Sequence, residues 1–176
     1  MAIELEAELA GGESAIRNAL ESFTGIWRRF ELLQEKDGVK IYSDYGHHPT
    51  AVAATIRGAK EQFPKRRVLL CFQPHHRNRT KHLFLDFVPS FDVADAVVLC
   101  EIYDVKGRDA TEDADISSQD LVDAVVRHDA DRGVSRLVEY AANPETAVQR
   151  IMQIAERGDI VIIMGAGDID EAARNV

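Results

Sequence analysis

Three segments of the chain are almost entirely apolar, and this constrains the fold more than any other feature. They read RVLLCFQ, AVVLCEIY and DIVIIMGAG, and they alternate with segments whose apolar residues recur at helical spacing. Strands without a polar face are buried on both sides, which requires a mostly parallel sheet covered by helices on both faces. An earlier pair of extended segments joined by KDG adds an N-terminal β-hairpin. We therefore predict an α/β fold with a Rossmann-like open sheet.

The length of 176 residues suits one domain with a substantial core. Residues 1–12 are acidic and end in two glycines, so we predict that residues 1–13 form a linker or arm and that residues 14–176 form the domain. A helix is predicted to begin at Ser14. Its apolar face is formed by Ile16, Ala19, Leu20 and Phe23.

Charge and cysteine content exclude some classes of protein. The formal net charge is −9, with 30 acidic and 21 basic residues, which argues against a general nucleic-acid binder but leaves room for a local anion site. The longest apolar run is far too short to span a bilayer, so we expect no membrane association. Cys71 and Cys100 lie in apolar runs and are predicted to be buried, reduced thiols.

Polar residues concentrate in three loops, each of which follows a predicted strand and precedes a predicted helix. The loops are DYGHHPT, QPHHRNRT and GAGD. In an open α/β sheet, the loops at the carboxyl ends of the strands line the ligand crevice. Helix N-termini at that edge offer free N–H groups, which suit an anion. The sequence therefore predicts a crevice that binds a small anion.

The adjacent histidines of DYGHHPT allow several interpretations. A shared metal ion would need further ligands, and neighbouring side chains point apart, so we predict no metal ligands. Pro49 suits the first turn of a helix, and one histidine can cap that helix. We assign the capping role to His48 and expect His47 to face the crevice.

The other two loops also carry a functional and a structural interpretation. QPHHRNRT groups His75, His76, Arg77 and Arg79, which are either a solvated basic cluster or, as we favour, an anion site. GAGD lacks the spacing of a dinucleotide-binding loop, and Asp168 could simply cap the last helix. The sequence has no G-x-x-x-x-G-K-[ST] phosphate loop and no nucleophile elbow, so we predict no catalytic residue in this domain alone.

Several motifs together resemble a known family. GIWRRFE, DYGHHPTAV, FQPHHRNRTK, ADAVVLCEIY and GDIVIIMGAGDI are similar, in order and spacing, to the carboxyl-terminal domain of the Mur ligases. The resemblance is strongest to the members that add L-alanine to UDP-N-acetylmuramate. It implies a three-domain cytoplasmic enzyme of peptidoglycan synthesis, in which ATP phosphorylates the muramoyl carboxylate and the amino acid attacks the acyl phosphate. It also implies that ATP and Mg²⁺ are bound mainly by a central domain that this chain lacks, and that UDP-N-acetylmuramate is bound by other domains.

The resemblance assigns roles to individual residues. It implies that Arg28, Arg29, Asp44 and Tyr45 face ATP. It implies that the amino acid is bound by His47, His75 and Arg79. The crevice is further lined, on the same grounds, by His76, Gly165, Gly167 and Asp168.

The sequence departs from the family pattern at three positions. The alanine-adding members often have arginine or another residue where this chain has His76, and an aromatic residue where it has Arg77. The first residue of their common DDY is Ser43 here. The loop from 104 to 115 is unusually acidic. Three alternatives stay open: a domain of the related murein-tripeptide ligase, a free-standing module that binds an amino acid or nucleotide, and a nucleotide-dependent oxidoreductase.

Overall fold

The structure is a computed structural model that describes residues 2–23, 25–104 and 115–176, with side chains from residue 12 onward. The acidic segment noted in the sequence therefore lies, from 105 to 114, outside the described residues. The strands are β1 (Glu31–Lys36), β2 (Val39–Asp44), β3 (Val68–Phe72), β4 (Ala96–Cys100), β5 (Leu137–Ala141) and β6 (Ile160–Met164). The helices are α1 (Ala2–Glu21), α2 (Pro49–Gln62), α3 (Arg77–His82), α4 (Phe84–Ser90), α5 (Ser118–Asp131), α6 (Pro144–Ile154) and α7 (Ile169–Arg174).

The strands form one open sheet in the order β1-β2-β6-β3-β4-β5. Only the β1–β2 pair is antiparallel, and all other neighbours are parallel. The hairpin between them turns at Asp37 and Gly38, which both have positive φ, as a two-residue hairpin turn requires. The predicted α/β class, mostly parallel sheet and N-terminal hairpin are confirmed.

Helices cover both faces of the sheet, as predicted. On one face, α2, α4 and α5 pack against strand residues such as Leu70, Phe72 and Leu99. On the other face, α6 and α7 cover a second set that includes Ile41 and Val98. Both cysteines are buried and reduced within this core, and burial raises the pKa of both thiols.

Several helix boundaries follow from capping residues that the sequence shows. Ser117 and Asp120 form a reciprocal capping box at α5. Asn143 caps α6 through its side chain, directly before Pro144. Both helix starts are thus determined by side chains that lie within a few residues of them.

Two helix boundaries were predicted wrongly. The first helix begins at Ala2 rather than at Ser14, and the two glycines at 11 and 12 do not interrupt it, because a helix tolerates a glycine at a cost of about 1 kcal/mol. The predicted helix after β3 is two helices, which meet at Leu83. No helix in the described part of the chain is both long and apolar enough to cross a membrane.

Candidate functional site

The sheet order brings the three polar loops together. Because β6 lies between β2 and β3, the ends of these three strands are neighbours, and Asp44 and Phe72 both pair with Met164. We call residues 44–48 the histidine loop, residues 73–79 the arginine loop and residues 165–168 the glycine turn. Backbone hydrogen bonds join them in sequence across the edge: Gly165 N–H to the Asp44 carbonyl at 3.1 Å, and Gln73 N–H to the Met164 carbonyl at 2.9 Å. The predicted convergence on one edge is confirmed.

The two histidines of the histidine loop have different surroundings. His48 caps α2, since its Nδ1 accepts a hydrogen bond from the Thr50 N–H at 3.3 Å. His47 lies toward the arginine loop, with its ring 5.8 Å from the ring of His75. His47 Nδ1 lies 3.0 Å from the Tyr45 carbonyl oxygen. Because a carbonyl only accepts, Nδ1 carries the hydrogen, and Nε2 is left to bind a ligand.

His75 is the most perturbed histidine of the site. Its ring stacks on Tyr103, with centroids 5.3 Å apart and planes at 15°. Burial, together with the neighbouring His76, His47 and Arg79, lowers the pKa of His75 to about 4. The Nδ1 atom is buried and has no hydrogen-bond partner among the described residues. The His75 ring is therefore neutral near pH 7 and carries an unpaired nitrogen close to His47, His76 and Arg79.

Arg79 has an unpaired nitrogen in the same loop. Its Nη1 is buried and has no hydrogen-bond partner in the described part of the chain. A buried unpaired polar group costs about 1–3 kcal/mol, so a native structure keeps such groups where something else satisfies them. Because the arginine fork suits a carboxylate, the unpaired nitrogen of Arg79 near His75 marks a candidate anion site.

The two residues between them, His76 and Arg77, diverge. His76 lies in the site: its ring is 4.0 Å from the ring of His75, and its backbone N–H donates to the Tyr103 carbonyl at 3.0 Å. Arg77 turns away. Its side chain donates to the Asp104 carboxylate at 2.7 Å and to the Ile116 carbonyl at 2.5 Å. These two acceptor residues flank the span 105–115.

The glycine turn packs closely against Gln73 and Tyr103, which were not among the predicted site residues. A Cβ on Gly167 would lie 2.5 Å from Gln73 Oε1 and 2.6 Å from Tyr103 Cγ. Asp168 occupies the N-cap position of α7, as the structural interpretation of GAGD has it, although its side chain makes no capping hydrogen bond. Its carboxylate instead accepts from Gln73 Nε2 at 2.8 Å. Gln73 thus joins the arginine loop to the glycine turn.

Gln73 and Tyr103 could have been found from their positions. Gln73 is the first polar residue after the apolar segment of β3, and Tyr103 closes the apolar run that contains β4. The sequence does not show that the two side chains meet over Gly167, because that contact depends on the strand order.

The residues assigned to the ATP side already have internal partners. Asp44 is buried, and its two carboxylate oxygens accept the N–H groups of Phe30 at 2.8 Å and Gly46 at 2.7 Å. The Tyr45 ring lies beside both arginines, with its centroid 4.8 Å from the Arg28 guanidinium carbon and 5.5 Å from that of Arg29. Of this pair, Arg28 is buried, with 7% of its surface exposed, and Arg29 is exposed.

The segment before β1 bends sharply around these arginines. Arg29 N–H donates to the Ile26 carbonyl at 3.0 Å, and both Arg28 and Phe30 adopt positive φ, at 53° and 48°. A residue other than glycine costs about 1–2 kcal/mol in this conformation.

No group of three or more metal-ligating side chains that could hold an ion was found among the described residues.

Comparison with known proteins gives one consistent result. Residues 28–167 match the family model described as Mur ligase, glutamate ligase domain. The UDP-N-acetylmuramate–L-alanine ligase of Geobacter sulfurreducens is 36% identical over 95% of this chain, which spans 34% of that protein's length.

Solved structures show the same fold. A UDP-N-acetylmuramate–alanine ligase from Thermotoga maritima aligns with a TM-score of 0.71 and 22% identity, covering 98% of this chain and 34% of that one. A MurF ligase from the same organism, solved in complex with ADP, aligns with a TM-score of 0.53 and 18% identity over 88% of this chain and 32% of its own.

Proposed function

This chain belongs to the Mur ligase family, and from that premise we propose that it is the amino-acid-binding domain of an ATP-dependent UDP-N-acetylmuramate–L-alanine ligase. The chain spans about a third of the length of its curated relative, so the remaining domains of such an enzyme would supply the rest of the chemistry. We also propose that residues 14–176 form the domain and that residues 1–13 form an arm or linker.

One observation supports this function most directly. The unpaired nitrogens of His75 and Arg79 lie in one loop, beside His47 and at the carboxyl end of three adjacent strands. A free amino acid always carries a carboxylate, and a basic, partly buried cluster of this kind binds that group. Fixing the carboxylate would orient the amine for attack on an acyl phosphate, and such positioning is a large part of catalysis.

The nucleotide is proposed to lie on the other side of the crevice. Arg29 is exposed, and its side chain makes no hydrogen bond or ion pair with the described residues, so it can contact a phosphate. The ADP complex of the T. maritima MurF ligase supports nucleotide use by a protein of this fold. On the strength of the family membership, we propose that Mg²⁺ and most of the ATP contacts belong to a central domain outside this chain.

A domain exchange tests the proposal. This chain would replace the matched third of the G. sulfurreducens ligase, and ADP formation would be measured with ATP, UDP-N-acetylmuramate and L-alanine. We expect activity from the exchanged enzyme and none from this chain alone. ADP formation by the isolated chain, or a soluble and folded hybrid without activity, would contradict the proposal.

The same hybrid separates the proposed substrate from the nearest alternative. We expect L-alanine to support ADP formation and L-alanyl-γ-D-glutamyl-meso-diaminopimelate to support little. The reverse preference would assign the domain to a murein-tripeptide ligase instead. Binding of L-alanine by the isolated chain, together with an inactive hybrid, would indicate a free-standing binding module.

A further inference from the structure

Arg28 and Arg29, the two adjacent arginines before β1, have different surroundings. We propose that Arg28 is a positioning residue that holds the glycine turn and the histidine loop in place, and that Arg29 alone of the pair is directed to a ligand. The role rests on the crevice being the ligand site, as proposed above. It changes the assignment that the resemblance implies, in which both arginines face ATP.

The contacts of the Arg28 guanidinium are internal. Its Nη2 donates to the carbonyl of Gly165 at 2.5 Å and to the carbonyl of Gly167 at 3.3 Å. Both carbonyls belong to the glycine turn, so one guanidinium nitrogen contacts two residues of that turn. Arg28 therefore links the glycine turn to the segment before β1.

The same residue also contacts the histidine loop. The Arg28 carbonyl accepts the Tyr45 N–H at 2.8 Å, and the guanidinium carbon lies 4.8 Å from the Tyr45 ring centroid. Tyr45 in turn meets His47 edge to face at 5.3 Å. One side chain and one carbonyl thus join two of the three crevice loops to the segment before β1.

A buried charge needs compensation, and Asp170 provides it. Asp170 lies 3.7 Å from Arg28 Nε and accepts from Ser43 at 2.5 Å and from Arg174 at 3.0 Å. Burial pushes the pKa of Asp170 upward, but these hydrogen bonds and the two arginine charges hold the pKa below its ordinary value. The Asp170 carboxylate beside the Arg28 guanidinium offsets part of the cost of burying that side chain.

The strained backbone explains how neighbours in sequence face opposite ways. The left-handed conformations at Arg28 and Phe30 reverse the chain around Arg29, which places the Arg28 side chain inside and the Arg29 side chain in solvent. Glu31 holds this bend, because its carboxylate accepts the Arg28 N–H at 2.9 Å and Arg174 Nη2 at 2.7 Å.

Hydrogen exchange of the free chain tests the inference, with Arg29→Gln as the matched control for Arg28→Gln. In Arg28→Gln we expect backbone amides of residues 165–169 and 45–47 to exchange about tenfold faster or more, as after loss of a hydrogen bond to a charged group, with the amides of β3 and β4 unchanged. In Arg29→Gln all of these rates should stay at the parent values.

A second variant guards against simple loss of folding. Arg28→Ala leaves a space that ethylguanidinium fills, whereas the shorter ethylammonium lacks the nitrogen that donates to both carbonyls, so only the former should restore slow exchange at residues 165–169. Faster exchange over the whole core in the Arg28 variants, equal effects at Arg29, or rescue by both cations would each overturn the inference. The measurement uses no substrate, so its outcome is independent of whether the hybrid ligase is active.

Discussion

The two sides of the crevice differ in how their polar groups are satisfied. In the arginine loop, His75 Nδ1 and Arg79 Nη1 are buried without a partner among the described residues. On the opposite side, the carboxylate of Asp44 accepts two backbone N–H groups, and Nη2 of Arg28 donates to two carbonyls. Both sides are polar and buried, but the unpaired nitrogens of the arginine loop lie among basic groups, whereas the unpaired Nε of Arg28 lies 3.7 Å from the Asp170 carboxylate.

This difference distinguishes the residues that we propose to bind a ligand from those that we propose to support the backbone. A buried polar group with internal partners already has the interactions that offset its desolvation, so it holds the backbone in place. A buried polar group without partners costs free energy in the free protein and recovers it when a ligand binds. Substitutions on the two sides should therefore have different consequences: lost ligand affinity on one and lost stability on the other.

The largest expected effect is on amino-acid affinity. Arg79→Ala in the hybrid ligase should raise the KM for L-alanine about 100-fold or more, because a charge-assisted bidentate contact is lost, with a much smaller change in the KM for ATP. Steady-state kinetics with each substrate varied would measure both constants. Arg77→Ala is the control from the same loop and should leave the KM for L-alanine almost unchanged, since Arg77 is directed to Asp104 and Ile116. A larger rise in the KM for ATP than for L-alanine would reverse the assignment of the two sides.

The next largest effect is on stability. Asp44→Ala should lower the free energy of unfolding by about 3 kcal/mol, because two buried backbone N–H groups lose a charged acceptor. Urea unfolding followed by circular dichroism measures this. Asp123→Ala, at an exposed position of α5, should change the free energy by about 0.5 kcal/mol or less. Equal effects of the two substitutions would show that Asp44 is not a supporting residue.

A pair of glycine substitutions should act in opposite directions. Gly167→Ala should destabilise the fold by about 1–3 kcal/mol, since the new methyl group would overlap with Gln73 and Tyr103. Gly58→Ala, inside α2 with no atom within 4 Å of the added Cβ, should stabilise it by up to about 1 kcal/mol. Thermal unfolding of both variants gives the comparison. A neutral Gly167→Ala would mean that the turn does not fit closely against these residues.

The smallest expected effect is a shift in a titration. The pKa of His75 should be about 4 in the folded chain, against an ordinary value of 6.5, because burial and its basic neighbours disfavour the charged ring. The unfolded chain therefore binds more protons between these two values, and stability should fall as the pH is lowered from about 6.5 toward 4. NMR titration of the ring protons measures the pKa directly.

Ligand binding gives the matching test on the same histidine. A bound carboxylate favours the charged ring, so saturating L-alanine should raise the pKa of His75. A pKa near the ordinary value in the free chain, or no response to bound L-alanine, would remove His75 from the site.

The fold was accessible from the sequence because the information that determines it is local. Apolar strands without a polar face require a covered parallel sheet, and Asn143 or the Ser117–Asp120 pair sets a helix start through side chains a few residues away. The first helix was placed too late for the same reason: two glycines read locally as a break, whereas the helix continues through them.

The site was only partly accessible, because its details depend on contacts between distant residues. The convergence of the three loops follows from strand order, and the capping role of His48 follows from Pro49 next to it. The internal role of Arg28 depends on carbonyls about 140 residues away, and the bond between Asp168 and Gln73 spans 95 residues. No pattern in the sequence distinguishes Arg28 from Arg29.

A structure of the hybrid ligase with L-alanine and a non-hydrolysable ATP analogue would test the central claim most directly. The decisive quantity is the distance from the L-alanine carboxylate to the nearest guanidinium nitrogen. The proposed site predicts a hydrogen bond of about 2.7–2.9 Å to Arg79, with His75 in contact with the same carboxylate. An amino-acid carboxylate bound to Arg29, with the analogue's phosphates at Arg79, would contradict the account.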